Sequence, residues 1–266
     1  MKLKKTVYYD DLLNDEFSGN QIKRVPLGNY SYVSKNIFFR LFAFFTYWAI
    51  AYPILYIFLK LVYHVRVKGK KNRKYLRKQG LFIYGNHTQM ADGVTGQVFA
   101  MRAKRGYIVS NQDATSIKGI RWLIKALGCI PVPETQQEAE QFTNCIKLRV
   151  KQHKGIVIFP EAHIWPYSTH IRPFKDDAFI YPAELGAPII VMATTYRQRK
   201  FFKNSRPYMT LHLSKPIYPD MKLPLQARKR QLRDYAYNFM VEKASEEENA
   251  EYIRYEKRPI REINKD

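Results

Sequence analysis

The sequence predicts an α/β fold, preceded by an apolar helical segment that anchors the chain to a membrane. Polar stretches of helix length separate short apolar runs, and this pattern is typical of buried strands that alternate with helices. The predicted strands are Leu81–Tyr84, Tyr107–Ser110, Cys129–Val132, Ile156–Phe159, Ile189–Thr194 and Met209–Leu213. Glycines stand just before or near most of these runs, as expected of helix C-caps that lead into a sheet.

Composition excludes several classes of protein. The 266 residues are 46% hydrophobic and 15% aromatic, which excludes a disordered or fibrous chain. A formal charge of +22 attracts nucleic acid, anionic lipid or an acidic substrate. Because no nucleic-acid-binding module is recognisable, we expect no specific nucleic-acid partner. The two cysteines, Cys129 and Cys145, are too few for a disulfide scaffold and lack zinc-site spacing, so we expect small buried residues in a reducing compartment.

A stretch of 19 uncharged residues, Leu41–Leu59, predicts the membrane anchor. Its length approaches the roughly 20 residues that cross a bilayer, and it shows no polar face of the kind that a soluble core helix has. A dense basic run from Arg66 to Lys78 follows it and predicts that this flank is cytoplasmic. Basic residues also precede the stretch, so a single span and a shallow monotopic hairpin broken near Pro53 both fit.

The domain organisation follows from these shifts in composition. Residues 1–35 form a polar lead-in without clear periodicity, and residues 36–64 form the anchoring segment. The α/β domain covers residues 65–245 and ends in an amphipathic helix predicted at Leu225–Lys243. Residues 246–266 are rich in charge, and we expect a solvated tail.

The residues with the strongest chemical signal follow the first predicted strand. His87 precedes Asp92 by five positions, a spacing that allows the carboxylate to orient the imidazole and support its protonated form. Open α/β sheets place their ligand crevices at the carboxyl ends of strands, which is where this loop falls. The pair therefore predicts a general base. The spacing is not specific by itself, because a surface histidine and a helix-capping aspartate can fall five apart by chance.

The loop with His87 and Asp92 is the first of four sequence blocks. The other three follow it in order, and the four together resemble a known family. The other three are Gly128–Glu134, Ile158–His163 with its sequel Arg172–Lys175, and Ala187–Met192. In this order and at these intervals, the segments between Gly80 and about Tyr196 resemble the glycerolipid acyltransferase family, typified by 1-acylglycerol-3-phosphate acyltransferase. The family patterns N-H-x4-D, F-P-E and P-F-K are matched by Asn86, His87 and Asp92, by Phe159, Pro160 and Glu161, and by Pro173, Phe174 and Lys175.

The resemblance implies a fold and a reaction. The fold is a mixed β-sheet flanked by helices, with the active domain on the cytoplasmic side of the cell membrane. The reaction is direct acyl transfer from acyl-CoA or acyl carrier protein to a lysophospholipid hydroxyl, most simply that of 1-acylglycerol-3-phosphate, in phospholipid biosynthesis. His87 acts as base and Asp92 orients it, with no metal or cofactor and no covalent acyl-enzyme. Membrane lipids and the acyl donor are the expected partners.

The same resemblance assigns substrate contacts and shows two departures. Asn86 lies in the first block, and Glu161 is expected to help hold the acceptor. In the family, G-T-R follows F-P-E in the third block, and this sequence has Ala162, His163 and Ile164 there. The family's phosphate-binding arginines are thus replaced here by Glu134 and by Ile164. A carboxylate repels a phosphate dianion, so other side chains must supply positive charge if the acceptor is a phosphate. The residues expected to restore this contact are His163, Arg172 and Lys175, with Arg197 as a further cation.

The departures leave two alternatives open. One is an acyltransferase whose acceptor is not a phosphatidate precursor. The other is a catalytically silent protein that binds a lipid surface. The replacement of the family's two arginines by Glu134 and Ile164 argues for this alternative. The intact pair His87 and Asp92 argues against the silent protein.

Overall fold

The computed structural model describes residues 4–18, 25–28, 30–76, 78–101, 104–117, 119–201, 205–246 and 248–259. The strands in these ranges are β1 (Lys5–Tyr9), β2 (Arg66–Lys68), β3 (Leu81–Gly85), β4 (Gly106–Ser110), β5 (Cys129–Pro131), β6 (Gly155–Ile158), β7 (Ile189–Arg197), β8 (Tyr208–Leu213) and β9 (Ile253–Lys257). The α-helices are α1 (Ile37–Phe45), α2 (Tyr52–Val62), α3 (Asp92–Thr95), α4 (Arg121–Ala126), α5 (Gln136–Lys151), α6 (Ile180–Leu185) and α7 (Leu225–Ala244).

Within the described ranges, the main sheet is mixed and has seven strands in the order β2-β8-β7-β3-β6-β4-β5. The pair β7 and β8 is antiparallel, and the other neighbours are parallel. The predicted fold class is therefore confirmed. All six predicted strands are present with ends that move by three residues at most, and the helix predicted at the end of the domain is α7.

Helices and apolar segments cover both faces of this sheet. On β3, Leu81 and Ile83 belong to one buried cluster, whereas Phe82 and Tyr84 belong to the other. This alternation follows from the pleat of a strand, which points successive side chains to opposite faces. The first cluster includes Leu59 of α2, and the second includes buried residues of α5, α6 and α7. Because β3 is buried on both faces, the loop that follows it is held at the centre of the sheet.

The apolar segment forms one helix, Ile37–Val62, of 26 residues with a mean hydropathy of 1.7. A hairpin broken near Pro53 is therefore not what the chain forms. A π-helical segment, Thr46–Ala51, joins α1 to α2 and places Pro53 within the first turn of α2. A wider turn before a proline accommodates its ring and its missing N–H, so the helix continues through this position.

One side of this long helix packs along the α/β domain. The Tyr47 hydroxyl accepts a hydrogen bond from the backbone N–H of Gly106 at 3.2 Å, and the Tyr52 hydroxyl donates to the carbonyl of Val98 at 3.3 Å. The other side is apolar and exposed, and its largest side chains are Ile37, Phe38, Leu41, Phe44, Phe45, Ile50, Ile54, Ile57, Phe58 and Leu61. The helix thus lies against the domain and presents an apolar stripe to the surroundings.

The two ends of the chain pair with each other, which corrects the expectation of a solvated tail. Strand β9 pairs in parallel with β1 across five residues, and Tyr252 and Ile253 are buried. Both strands pack on the loop after β6, because the rings of Tyr9 and Tyr255 lie with their centroids 5.0 Å and 4.8 Å from that of Trp165. Residue 247 and residues 260–266 of the predicted tail lie outside the described residues. So do Arg77 of the basic run and Lys23 and Arg24, two of the basic residues that precede the apolar stretch.

Candidate active site

The first block forms a loop at the carboxyl end of β3, next to the third block at the carboxyl end of β6. These strands are parallel neighbours, with Tyr84 opposite Ile158, so their following loops meet at one edge of the sheet. Two backbone hydrogen bonds join the loops: Trp165 N–H donates to the carbonyl of His87 at 3.1 Å, and Tyr167 N–H donates to that of Thr88 at 3.0 Å. The fold therefore brings together the two blocks that the sequence singled out.

Asp92 is fixed before any substrate arrives. Its Oδ2 accepts hydrogen bonds from the backbone N–H groups of Thr88 at 2.6 Å and Gln89 at 2.7 Å, and its side chain is fully buried. The same oxygen lies 3.4 Å from Nδ1 of His87. A proton on Nδ1 that points at this carboxylate leaves the lone pair on Nε2, which is the arrangement that a general base requires.

His87 is held flat at the surface of the site. Its ring stacks on Phe159, with 4.3 Å between ring centroids and 14° between planes, and its side chain is 15% exposed. Gly85 makes this packing possible, because a Cβ at that position would lie 3.0 Å from the Phe159 ring and 3.1 Å from the Met192 carbonyl. The imidazole is therefore oriented on one side by Asp92 and on one face by Phe159.

Asn86 has a structural role in this geometry. Its side-chain oxygen accepts from the N–H of Thr194 at 2.7 Å, and its side-chain nitrogen donates to the Thr194 carbonyl at 3.0 Å. These two bonds tie the end of β3 to β7, and the residue is buried. The contacts favour positioning of His87 over the substrate contact that the sequence led us to expect of Asn86.

Glu161 and Arg172 form a buried ion pair. Oε2 of Glu161 accepts from Nε of Arg172 at 3.1 Å and from Nη2 at 2.9 Å, and the side chains are 1% and 2% exposed, respectively. Nη2 also donates to the carbonyl of His163, and the guanidinium lies 4.9 Å from the centre of the Trp165 ring. Burial raises the pKa of Glu161, whereas Arg172 opposes this change. The pair fixes the loop and leaves no net charge for a phosphate.

The remaining sequence-predicted residues lie around this loop. Nδ1 of His163 lies 3.6 Å from Oε2 of Glu16 in the N-terminal segment, so this histidine faces a carboxylate. Lys175 is exposed at the start of the turn that precedes α6. Glu134 is exposed just before α5, and its N–H donates to Glu138 at 2.8 Å. His163 therefore has a carboxylate partner of its own, and Lys175 and Glu134 are exposed on loops.

Tyr196 on β7, which the sequence did not single out, supports the loop that carries His87. The Tyr196 hydroxyl donates to Oγ1 of Thr88 at 2.7 Å and accepts from Nε2 of Gln89 at 3.3 Å. Burial, followed by the nearby charge of Asp92, raises the pKa of Tyr196 well above its ordinary value, so the hydroxyl remains a donor. The sequence offered one signal for this role, because Tyr196 lies at the carboxyl end of β7, the strand beside β3. Neighbouring parallel strands deliver residues to the same edge of a sheet.

The third-block loop contains a left-handed residue where the family pattern has glycine. Ala162 has φ +64°, a conformation that costs an L-residue on the order of 1 kcal/mol relative to glycine. The family's glycine is therefore explained by backbone geometry, and its replacement by Ala162 stores modest strain beside Glu161. The loop keeps its shape because the Glu161–Arg172 pair and the Trp165 contact hold it.

Comparisons with known proteins bear on the domain and on the fold. The acyltransferase family model matches residues 64–195, which include His87, Asp92 and Glu161. The chain is similar in structure to the 1-acyl-sn-glycerophosphate acyltransferase PlsC from Thermotoga maritima, with a TM-score of 0.52 and 16% identity over 83% of this chain and 93% of that one. A comparison with curated proteins gave no match. Residues 64–195, just under half of the chain, therefore form an acyltransferase domain.

Proposed function

We propose that this acyltransferase moves a fatty acyl group from acyl-CoA or acyl carrier protein to the free hydroxyl of a lysophospholipid of the 1-acylglycerol-3-phosphate type. One observation carries the proposal: a buried carboxylate, Asp92, is fixed by two backbone N–H groups and lies 3.4 Å from Nδ1 of His87. The structurally similar protein from Thermotoga maritima is a 1-acyl-sn-glycerophosphate acyltransferase, which supports this acceptor class.

The reaction needs one base and proceeds by direct attack. Nε2 of His87 takes the proton of the acceptor hydroxyl as its oxygen bonds to the thioester carbonyl carbon. The tetrahedral intermediate then expels the thiolate of the donor, and the imidazolium returns the proton to that sulfur. Asp92 stabilises the imidazolium between these steps, because the opposite charges lie in a buried setting. The products are the diacyl lipid and the free thiol.

Positive charge for an acceptor phosphate is scarce in the site. Arg172 is neutralised by Glu161, and Glu134 stands where the family has an arginine. Of the residues expected to replace these arginines, Lys175 is the one that the fold leaves exposed with a permanent charge. This observation favours, as a second candidate, the same reaction on a lysolipid acceptor without a terminal phosphate.

The apolar helix supports a position at a membrane. Helix Ile37–Val62 packs one side on the domain while its other side exposes large apolar residues. A helix that contacts the domain along its length fits a place in the plane of the interface better than a perpendicular crossing. The basic residues between Arg66 and Lys78 then face anionic head groups on the cytoplasmic leaflet. The active domain works from the cytoplasmic side in this arrangement.

An acceptor panel tests the function. Detergent-purified protein is given labelled acyl-CoA or acyl carrier protein thioesters with lysophosphatidic acid, lysophosphatidylcholine or a neutral monoacylglycerol. Product with lysophosphatidic acid that disappears on His87→Ala supports the main proposal. Product with the other acceptors alone supports the second candidate, and no product with any acceptor favours the catalytically silent lipid-binding protein.

A further inference from the structure

A groove of about 1270 Å³ lies between α1 and the α/β domain, away from His87. Lys104 and Arg105 enter it just before β4, and Lys154 enters it just before β6. These are the amino ends of the parallel strands, whereas His87 follows the carboxyl end of β3. Lys154 directly precedes Gly155, which pairs with Leu81 in the sheet. Leu81 lies six residues before His87, so the two sites lie roughly 20 Å apart along the strands.

The groove is strongly cationic. The positively charged residues among the described residues that line it are Lys35, Arg40, Lys104, Arg105, Lys125, Arg149 and Lys154, and the described lining has no aspartate or glutamate. None of the ion pairs formed by the described residues includes any of these cations. Lys35 and Arg40 are exposed, whereas the other five are buried or partly buried. Partly buried cations without carboxylate partners are costly, so an anion in the groove would offset their charge.

Aromatic rings hold several of these cations in place. The guanidinium groups of Arg105 and Arg149 lie 5.3 Å and 4.4 Å from the centre of the Tyr107 ring. The ammonium of Lys125 lies 5.1 Å from the centre of the Tyr30 ring. Cation–π contacts orient a charge while leaving its other N–H donors available. The groove therefore presents donors that are arranged before a ligand binds.

The titration behaviour of the lysines agrees with this geometry. Burial lowers the pKa of Lys154, and the nearby charges of Arg105 and Arg149 lower it further. Burial lowers the pKa of Lys125 as well, and Arg149 adds to this effect. An anion in the groove would relieve the mutual repulsion of these cations. Some donors are already used within the protein: the Lys104 ammonium donates to the carbonyls of Leu76 and Gln79, Arg105 donates to the carbonyl of Ala126, and Arg149 donates to Oε1 of Gln152.

The opposite wall of the groove is apolar and belongs to the exposed helix. Ile37, Leu41, Phe44 and Trp48 line it from α1 and the π-helical segment. Ile37, Leu41 and Phe44 are also large exposed residues of the apolar stripe, so the groove opens onto that stripe. A ligand that fits both walls carries a phosphate at one end and hydrocarbon at the other.

We propose that this groove binds the phosphate head group of an anionic phospholipid, with the acyl chains lying along α1, as a site separate from the acyl-transfer centre. The inference that the bound phosphate belongs to a lipid rests on the membrane position proposed above. The inference that the groove prefers phosphate rests on its cations alone. The bound lipid then fixes the angle between the helix and the domain, because it contacts both. The site's function is to anchor the enzyme selectively at anionic membrane.

The test uses the full chain in a neutral detergent and two double variants that remove the same charge. Arg149→Gln with Lys154→Gln removes cations that line the groove. Lys147→Gln with Lys151→Gln removes cations of α5 that are exposed and do not line it. Binding of short-chain phosphatidylglycerol, short-chain phosphatidylcholine and inorganic phosphate is measured by titration, and folding is checked by thermal unfolding. Acyl transfer is measured in parallel on each variant.

We expect wild type and the Lys147/Lys151 variant to bind phosphatidylglycerol equally, and the Arg149/Lys154 variant to bind it about tenfold more weakly or worse. Phosphatidylcholine should bind weakly to all three proteins. Equal binding of phosphatidylglycerol by both variants, or equal binding of the two lipids by wild type, overturns the site. Inorganic phosphate that binds as tightly as phosphatidylglycerol overturns the lipid assignment. Binding is measured without turnover. The lipid site and the proposed acyl transfer can therefore fail independently, and the two failures are distinguishable.

Discussion

Replacing Asp92 by Asn separates the charge of this residue from its geometry. One oxygen, Oδ2, accepts from Thr88, Gln89 and His87 together. In the Asp92→Asn variant the amide oxygen takes this place, because the amide nitrogen cannot accept the two backbone N–H groups. The loop and the imidazole tautomer are therefore kept, and the negative charge alone is lost.

The size of the effect follows from the distance. A carboxylate 3.4 Å from an imidazolium contributes about 5 kcal/mol at an effective dielectric constant of about 20. The amide dipole retains part of this attraction, so the transition state loses about 3 kcal/mol and the rate falls by about two orders of magnitude. Stability changes little, because the variant also removes a fully buried charge, whose desolvation opposed folding.

The assay is acyl transfer under conditions of limiting acceptor, with thermal unfolding of the same preparations. Asp92→Ala serves as the contrasting variant, since it also leaves two buried N–H groups unpaired and should lower stability by about 2–4 kcal/mol. An Asp92→Asn protein within about threefold of wild-type activity would refute the proposed role of the charge. Equal losses of stability in both variants would refute the assignment of Oδ2 as the shared acceptor.

Three further predictions concern stability. Ala162→Gly should raise the free energy of unfolding by about 1 kcal/mol, because φ is +64° there; an unchanged urea midpoint would contradict the strained backbone. Arg172→Met should cost about 3–5 kcal/mol by leaving Glu161 buried without its partner, and adding Glu161→Leu should recover most of it. If Arg172→Met keeps its stability but raises KM for lysophosphatidic acid, Arg172 is a phosphate ligand after all. Burial lowers the pKa of Lys104 to about 8 from an ordinary 10.5, so its folded form binds its proton less tightly than the unfolded chain does. Lys104 should therefore contribute stability that grows between pH 8 and 10.5, by roughly 3 kcal/mol at most, and the difference between wild type and Lys104→Met in denaturation curves should show this pH dependence.

Much of the sheet was predictable because its strands are short apolar runs between polar helices. Each predicted strand is present, and β3 to β6 follow one another with the helical spacing that parallel strands need. Strands β1 and β9 could not be predicted, because their pairing joins residues about 250 positions apart and neither segment shows a strong apolar alternation. The path of the helix past Pro53 was equally hidden, since a π-helical segment leaves no pattern in the sequence.

For the site, the sequence indicated which residues meet but not how they pair. His87 and Asp92 lie together as the spacing predicts. The engagement of Asn86 with Thr194, and of Arg172 with Glu161, depends on tertiary packing that one sequence does not encode locally. Three of the expected substrate ligands, Asn86, Glu161 and Arg172, thus turn inward and support the loop. The cationic groove was also invisible, because its cations come from four separate stretches of the chain, residues 35–40, 104–105, 125 and 149–154.

The rate of acyl transfer by His87→Ala, set beside that of His170→Ala, tests the central claim most directly. His170 is an exposed histidine in the loop after β6, which lies next to the loop of His87. Both variants therefore remove an imidazole, and His87→Ala alone removes the proposed base. We predict a loss of about 10²–10⁴-fold for His87→Ala and none for His170→Ala, with both proteins folded. Equal activity of the two variants on every acceptor would contradict general-base catalysis by His87.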